Sequence, residues 1–386
     1  MILNNVKIFG GNEPVSLYID GSSISQIVNV NQDIFNNRKT TLDFDGDIVF
    51  PGFINSHDHL EFNLYPNFGD RSFENYTEWG RYILNEYKPE IDRVTKIPLK
   101  LRIAWGLYKN LLCGVTTVVH HGKKIEVNDN LINVFQGYNF LHSVGFEKKW
   151  KLKLNRFSRK QLVVIHAGEG RDDYARKEIG KLIRWNLFNK KIVAIHGVCM
   201  TAHQAQAFEA LIWCPVSNLF MFQESAKIDQ LKNCTRIIFG TDSTLTAGWN
   251  LWEHLRVAKK NSRITDRELF EMLTITPAQI WNLNKKGMVK ENYAADLVIA
   301  KIGNDKLGFF EINPEDILLV LRGGEIKLYD ETLADQVEKQ RIAPNLFSKI
   351  KLRNTVKYVY GDLPGLMRET ILHYPEADFP VTTCDK

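Results

Sequence analysis

The chain has 386 residues, of which 44% are hydrophobic and 25% charged, the make-up of a globular protein with a substantial core and not of a disordered chain. Its formal charge of +5, from 50 Lys and Arg against 45 Asp and Glu, is too nearly balanced for a dedicated nucleic-acid or membrane binder. The length admits one large α/β barrel with an accessory domain, or two to three ordinary domains, so size alone leaves the fold open.

The N-terminal "MILNNVKIFGGNEPV" lacks the basic and long apolar regions of a signal peptide, and no segment approaches the ~18 uncharged residues of a spanning helix. Five cysteines (Cys113, Cys199, Cys214, Cys234, Cys384) at irregular spacing, with no CxxC, read as reduced thiols of a cytoplasmic protein. Residues 1–48 alternate apolar and polar positions between turn signals, as in "VKIFGGNEPVSLYIDGSSISQIV", which predicts short strands and hairpins. The same texture returns in "ENYAADLVIAKI" and "ILLVLRGGEIKLYDE". A small β domain is therefore expected from both ends of the chain, residues 1–48 with 289–350, followed by a C-terminal extension over 351–386.

Between them, over residues 49–288, short β-rich runs alternate with helical patterns, which predicts βα units around parallel strands. The strand candidates are "DIVFPGFINSH", "GVTTVVHH", "QLVVIHAGE", "KIVAIHGV", "ALIWCPVS" and "RIIFGTDS". Each is an apolar run whose last residues turn polar, as expected where the carboxyl ends of TIM-type barrel strands line one functional face. Residues 123–160 offer only "LINVF" and "YNFLHSVGF" as extended segments, and the basic stretch 147–160 reads as a solvated connector. Helices are expected from Thr201 in "TAHQAQAFEALI" and from Thr265 in "TDRELFEMLTI", each residue serving as an N-cap.

Chemistry concentrates at the strand ends. His57 and His59, at positions i and i+2 of an extended chain, would present two imidazoles to one face, as metal ligands do. His166, His196 and Asp242 end three further strands, and neutral imidazole with carboxylate is a donor set that zinc and iron accept. Glu169, three residues after His166, is placed to hold a proton beside activated water, its pKa raised by burial.

These pieces, "PGFINSHDHL", "GVTTVVHH", "HAGE", "AIHGVCMT", "WCPVSNL", "GTDS" and "GMVKENYAADLVI", resemble the amidohydrolase superfamily, in its branch of deaminases and related ring hydrolases. The resemblance runs from about residue 48 to 300. It implies a (β/α)8 TIM-type barrel with a small β-sandwich domain, and a single divalent metal, zinc first with iron or manganese as alternatives, held by His57, His59, His166 and Asp242. It also implies that Glu169, His196 and Asp242 are catalytic in hydrolytic deamination of an amino-substituted heteroaromatic ring. Ring-opening hydrolysis of a cyclic amide is the second reading, and a non-catalytic pseudoenzyme the reading of another class.

The chain departs from its relatives in two places. His120-His121 stands where the family often has Asp-His, which points His121 toward the substrate, and the short stretch between His121 and His166 calls for abbreviated strands three and four. Glu61, Phe62, Trp79 and Trp249 are further substrate-contact candidates, the aromatics because they can stack on a flat ring. The expected partner is a small molecule, with a homodimer by family analogy.

Overall fold

The computed structural model describes residues 1–30, 40–127, 130–156, 158, 160–301, 308–339 and 344–384; parts of the basic connector and of the C-terminal extension named above thus lie outside the described residues. Eight short strands form the centre: β1 (Phe53–Asp58), β2 (Val115–His120), β3 (Asn133–Phe135), β4 (Asn139–Ser143), β5 (Val163–Ala167), β6 (Ile192–His196), β7 (Ala210–Trp213) and β8 (Arg236–Phe239). All pair in parallel, β1-β2-β3 as one sheet and β4 to β8 in sequence as a second. Among the described residues no ladder joins β3 to β4 or β8 to β1. Instead, the N–H groups of Thr241 and Asp242 donate to the carbonyl of His57 at 3.1 and 3.0 Å, tying the end of β8 to β1. The arrangement is an α/β barrel of TIM type whose ladder is open at two seams.

Alternation along the strands separates two cores. Val164, Val193, Ile195, Ile212 and Ile238 share an inner cluster with Ile54 and Trp281, while Val163, Ile165, Ile192, Leu211 and Ile237 pack outward in the larger cluster. Helices α1 (Tyr76–Glu86), α2 (Lys88–Thr95) and α3 (Leu99–Leu112) separate β1 from β2; α4 (Trp150–Arg156) precedes β5 and α5 (Asp173–Trp185) follows it. No helix lies between β2 and β3 or between β3 and β4 among the described residues, which is how the short middle region is accommodated. Thr201 and Thr265 both close capping boxes, but the helix after Thr201 is only Ala202–Ala205, because residues 210–212 belong to β7. Among the described residues no helix is long and apolar enough to cross a membrane.

Strands from both chain ends make one eleven-stranded sheet, including Ile2–Ile8, Pro14–Asp20, Ile48–Pro51, Leu297–Ala300 and Ile317–Arg322. Its ladder is continuous, so hydrogen bonding does not divide it into the two facing sheets of a sandwich. The segment read from sequence as an extension continues the same sheet: Phe347–Leu352, Thr355–Tyr360 and Val381–Thr383 form its far edge. Leu297 and Ile299 face a core of Leu3, Leu17, Leu42 and Leu319, whereas Val298 and Ala300 face the barrel side. The chain passes from this sheet into β1 at Gly52, where a Cβ would lie 2.2 Å from Thr116 Cγ2.

Candidate active site

Local backbone irregularities aim the strand-end side chains. In β1, Asn55 opposes Val118 and Asp58 opposes His120, three residue steps against two. This bulge re-aims the side chains that follow it: His57 joins the other histidines, and Asp58 turns toward α3. His196 follows Ile195, an inner-core residue, and would by alternation point outward, but its φ of 72° breaks the period. Asp242 also has a left-handed φ, 59°. Such conformations cost of order 1–3 kcal/mol in non-glycine residues and gather at functional sites. Gly240 leaves the room His57 needs, since a Cβ there would sit 2.6 Å from the His57 Cβ.

His57, His166 and His196 each present a ring nitrogen within 4.8 Å of the other two, as do His57, His59 and Asp242 for one ligand atom each. Asp242 Oδ1 lies 3.8 Å from Nε2 of both His57 and His59, and its Oδ2 lies 3.9 Å from His196 Nε2. His166 Nδ1 donates to the carbonyl of His142 at 2.8 Å, and His196 Nδ1 to Asn218 Oδ1 at 2.8 Å. Each bond leaves Nε2 as the lone-pair nitrogen. Ser217 Oγ and the Ser243 N–H donate to the two oxygens of Asp242 at 2.7 and 2.8 Å.

Both nitrogens of His57 and Nε2 of His196 are buried without a hydrogen-bond partner. Orphaned buried polar atoms cost about 1–3 kcal/mol each. Two overlapping groups of ligand atoms that share His57, one of three imidazoles and one of two imidazoles with a carboxylate, with unused nitrogens, fit a divalent cation.

Burial, aided by neighbouring histidines, holds His57 and His166 well below the usual imidazole range, so they stand neutral, the ligand form. Burial also lowers His196 against the opposing pull of Asp242. For Asp242, burial acts upward but is outweighed by His59, His196 and its two hydrogen bonds, and the carboxyl lies below its ordinary value. Glu169 goes the other way: burial first, then the charge of Asp242, push it well above the carboxylate range. It sits 3.6 Å from His196 Nε2, and its backbone carbonyl accepts from Tyr76 N at 3.1 Å.

A cavity of about 370 Å³ opens onto this cluster and is lined by His59, His166, Glu169 and Asp242 together with Phe62 and Trp79. Phe62 stacks on His59 with ring centres 5.5 Å apart. Three of the expected substrate contacts do not reach the cavity wall. Glu61 turns to His120, 3.7 Å from Nδ1, because the short 3-10 turn at Leu60–Phe62 directs it to the β2 side. Trp249 packs half-buried against the core, its carbonyl facing Cys113 Sγ. His121 is wholly buried behind the cluster, its ring centre 4.6 Å from that of His166 and 5.1 Å from that of His57.

Other residues were not singled out from sequence. His142, next to last in β4, lines the cavity, and the pattern of histidines near strand ends that exposed His166 and His196 also runs through "YNFLHS". Ser217 and Asn218 lie in "WCPVSNL" without a role assigned. Lys109 is 1% exposed, with Nζ 2.9 Å from Asp58 Oδ2, 2.8 Å from Asn63 Oδ1 and 3.5 Å from the Asp242 carbonyl. Asn110 Nδ2 also donates to Asp58 Oδ2 at 2.8 Å, and Asn55 Nδ2 to Thr241 Oγ1 at 2.8 Å. This network bridges the β8 to β1 seam where the ladder is missing.

Residues 149–327, a little under half of the chain, match the model of the amidohydrolase family. It is 26% identical over 225 residues to the 5-methylthioadenosine/S-adenosylhomocysteine deaminase of Pyrococcus horikoshii, covering 50% of this chain and 52% of the relative. The protein of the same name from Pyrococcus furiosus is 27% identical over 231 residues, with 52% and 53% covered. The chain thus spans about half the length of these curated relatives. Among solved structures, an adenosine deaminase from Xanthomonas campestris with bound zinc superposes with a TM-score of 0.65 at 15% identity, over 88% of this chain and 96% of that one, a likeness of fold.

Proposed function

We propose that the chain is a metal-dependent hydrolase that deaminates an amino-substituted heteroaromatic ring. The observation that carries this reading is that His57 shares one cluster of ligand atoms with His59 and Asp242 and another with His166 and His196, beside Glu169, a buried carboxyl pushed well above its usual range. The deaminase names of the sequence relatives support the reaction class. His57, His59, His166 and Asp242 would hold one divalent cation, which lowers the pKa of water toward ~7 and so supplies hydroxide at neutral pH. Asp242, oriented by Ser217 and Ser243, accepts a proton. Glu169, kept protonated by burial, gives a proton to the ring nitrogen as the amino-bearing carbon is attacked. His196, fixed by Asn218, directs its free Nε2 between the two carboxylates.

The same reading takes residues 49–288 as an eight-stranded (β/α) unit with abbreviated strands three and four. It takes the sheet built from both chain ends as the sandwich-like partner domain. Zinc is the metal it takes first, although histidine and carboxylate suit iron and manganese too. Five unpaired thiols support the cytoplasm as compartment, and a homodimer follows from family analogy.

Elemental analysis of purified protein beside an ammonia-release screen of purines, pyrimidines, pterins and triazines tests the reading. About one metal per chain is expected, lost in a His57→Ala/His59→Ala double variant. Glu169→Gln should keep the metal and lower ammonia release at least ~100-fold, the usual size of general acid–base assistance. Metal without ammonia from any ring would move the assignment to cyclic-amide hydrolysis. Absence of metal after preparation with zinc, iron or manganese would overturn it.

A further inference from the structure

The geometry points to a substrate whose ring carries an apolar substituent and no sugar, an inference that rests on the deaminase reading above. Beyond the polar cluster at its base, the cavity is walled by Phe62, Ile83, Leu84, Ile91, Phe146 and Leu245. Its aromatic residues have already spent their polar atoms on protein. Trp79 Nε1 donates to the Phe68 carbonyl at 2.7 Å, Tyr65 OH shares a hydrogen bond with Thr95 Oγ1 at 3.0 Å, and Tyr76 OH donates to Glu178 Oε1 at 2.9 Å. Only ring and carbon faces are left to the ligand.

Among the described residues, Glu169 and Asp242 are the cavity's only carboxylates, and no Asn or Gln side chain lines it. The polar groups left are the His142 ring and the Ser243 hydroxyl, with the Thr246 hydroxyl already hydrogen-bonded to Ser217 Oγ at 2.8 Å and Asp242 Oδ2 at 3.3 Å, and Arg81 exposed at the mouth. A ribose has three hydroxyls to satisfy, and the wall offers no carboxylate or amide to pair with a vicinal diol. Hydroxyls entering it would shed water against carbon. An alkyl or aryl group would instead bury its surface there. Leu84 and Phe146 extend the apolar wall outward, 58% and 50% exposed, so the substituent has a carbon-lined path from solvent to the cluster.

Matched probes decide it: 9-butyladenine against adenosine, and 1-butylcytosine against cytidine. Each pair shares one reacting ring and differs only in substituent. With metal-loaded protein, kcat/KM for ammonia release should favour the butyl member of whichever pair reacts by about 10- to 100-fold, the range in which an apolar pocket discriminates against hydroxyls. Calorimetric titration should show the same order of affinity whether or not the ring turns over. Ile91→Asn, which sets an amide into the wall, should narrow the ratio chiefly by weakening the butyl member. Equal or better handling of the nucleosides, no binding of either butyl compound, or an unchanged ratio in Ile91→Asn would overturn the inference. Binding in the expected order with no ammonia from any ring would instead count against deamination and leave the substrate class standing.

Discussion

Glu178 shows what burial does to a carboxyl with little to compensate it. Its side chain, on α5, is 1% exposed, accepts from Tyr76 OH at 2.9 Å, and leaves Oε2 without a partner. Burial raises it from 4.5 to about 7, against the lowering effect of Tyr76. The folded chain therefore holds this proton more tightly than the unfolded chain does. Its contribution to stability is present below pH ~4.5 and is lost progressively as pH rises to about 7; above that both states are ionised and the difference is constant. Over that window the loss is of order 3 kcal/mol. Glu178→Gln should abolish it, so the variant's stability relative to the parent should rise between pH 5 and pH 8. Urea unfolding at those two pH values is the measurement, and a difference independent of pH would contradict the assignment.

At the scale of elements, the decisive feature is how β1, α3 and the loop after β8 are joined. Lys109 and Asp58 form an ion pair sealed from water, and replacing one partner alone leaves the other charge buried, at a cost of about 3–5 kcal/mol. Lys109→Met should therefore lose stability of that order. It should also weaken metal binding about 10- to 100-fold, as changes behind ligand residues do, because Lys109 holds the backbone of the Asp242 loop. Adding Asp58→Asn should recover part of the stability by removing the stranded charge. Urea unfolding and competitive chelation of the three variants give the two readouts. A metal affinity unchanged in Lys109→Met would confine this network to stability.

That same junction marks the limit of what residue patterns reveal. Strand-end histidines stand out in sequence because an apolar run ending in His166 or His196 is visible in one dimension. The turn-rich ends of the chain likewise announce a β domain. Neither the bulge that turns His57 inward nor the left-handed residue at His196 can be seen that way, since alternation alone would send His196 outward. Lys109 looks like an ordinary helix lysine until α3 is laid against β1. Trp249 and Glu61 were drawn toward the substrate by nearness in sequence to Asp242 and His59, whereas the turns that follow those residues carry them elsewhere.

Over the whole molecule, the C-terminal segment reaches the site through packing. Phe379 meets Trp105 of α3 edge-on at 4.9 Å, Trp105 Nε1 donates to the Asn63 carbonyl at 2.8 Å, and Asn63 Oδ1 accepts from Lys109. The segment is anchored beyond Phe379 by Val381–Thr383, paired to Phe347–Leu352, so the eleven-stranded sheet and the barrel brace α3 from one chain end. Phe379→Ala should cost about 1–3 kcal/mol, less than a fully enclosed Phe because the ring is half-buried. Leu372→Ala, in the same segment but 84% exposed, should cost nothing measurable. If α3 transmits the loss, Phe379→Ala should also reduce the rise in melting temperature produced by excess zinc, since that rise measures metal affinity for the folded state. Thermal unfolding of the two variants with and without zinc separates the cases: equal zinc shifts would mean that the sheet stabilises the barrel without shaping its metal site, and a smaller shift in Phe379→Ala alone would place the C-terminal segment among the supports of the reacting centre.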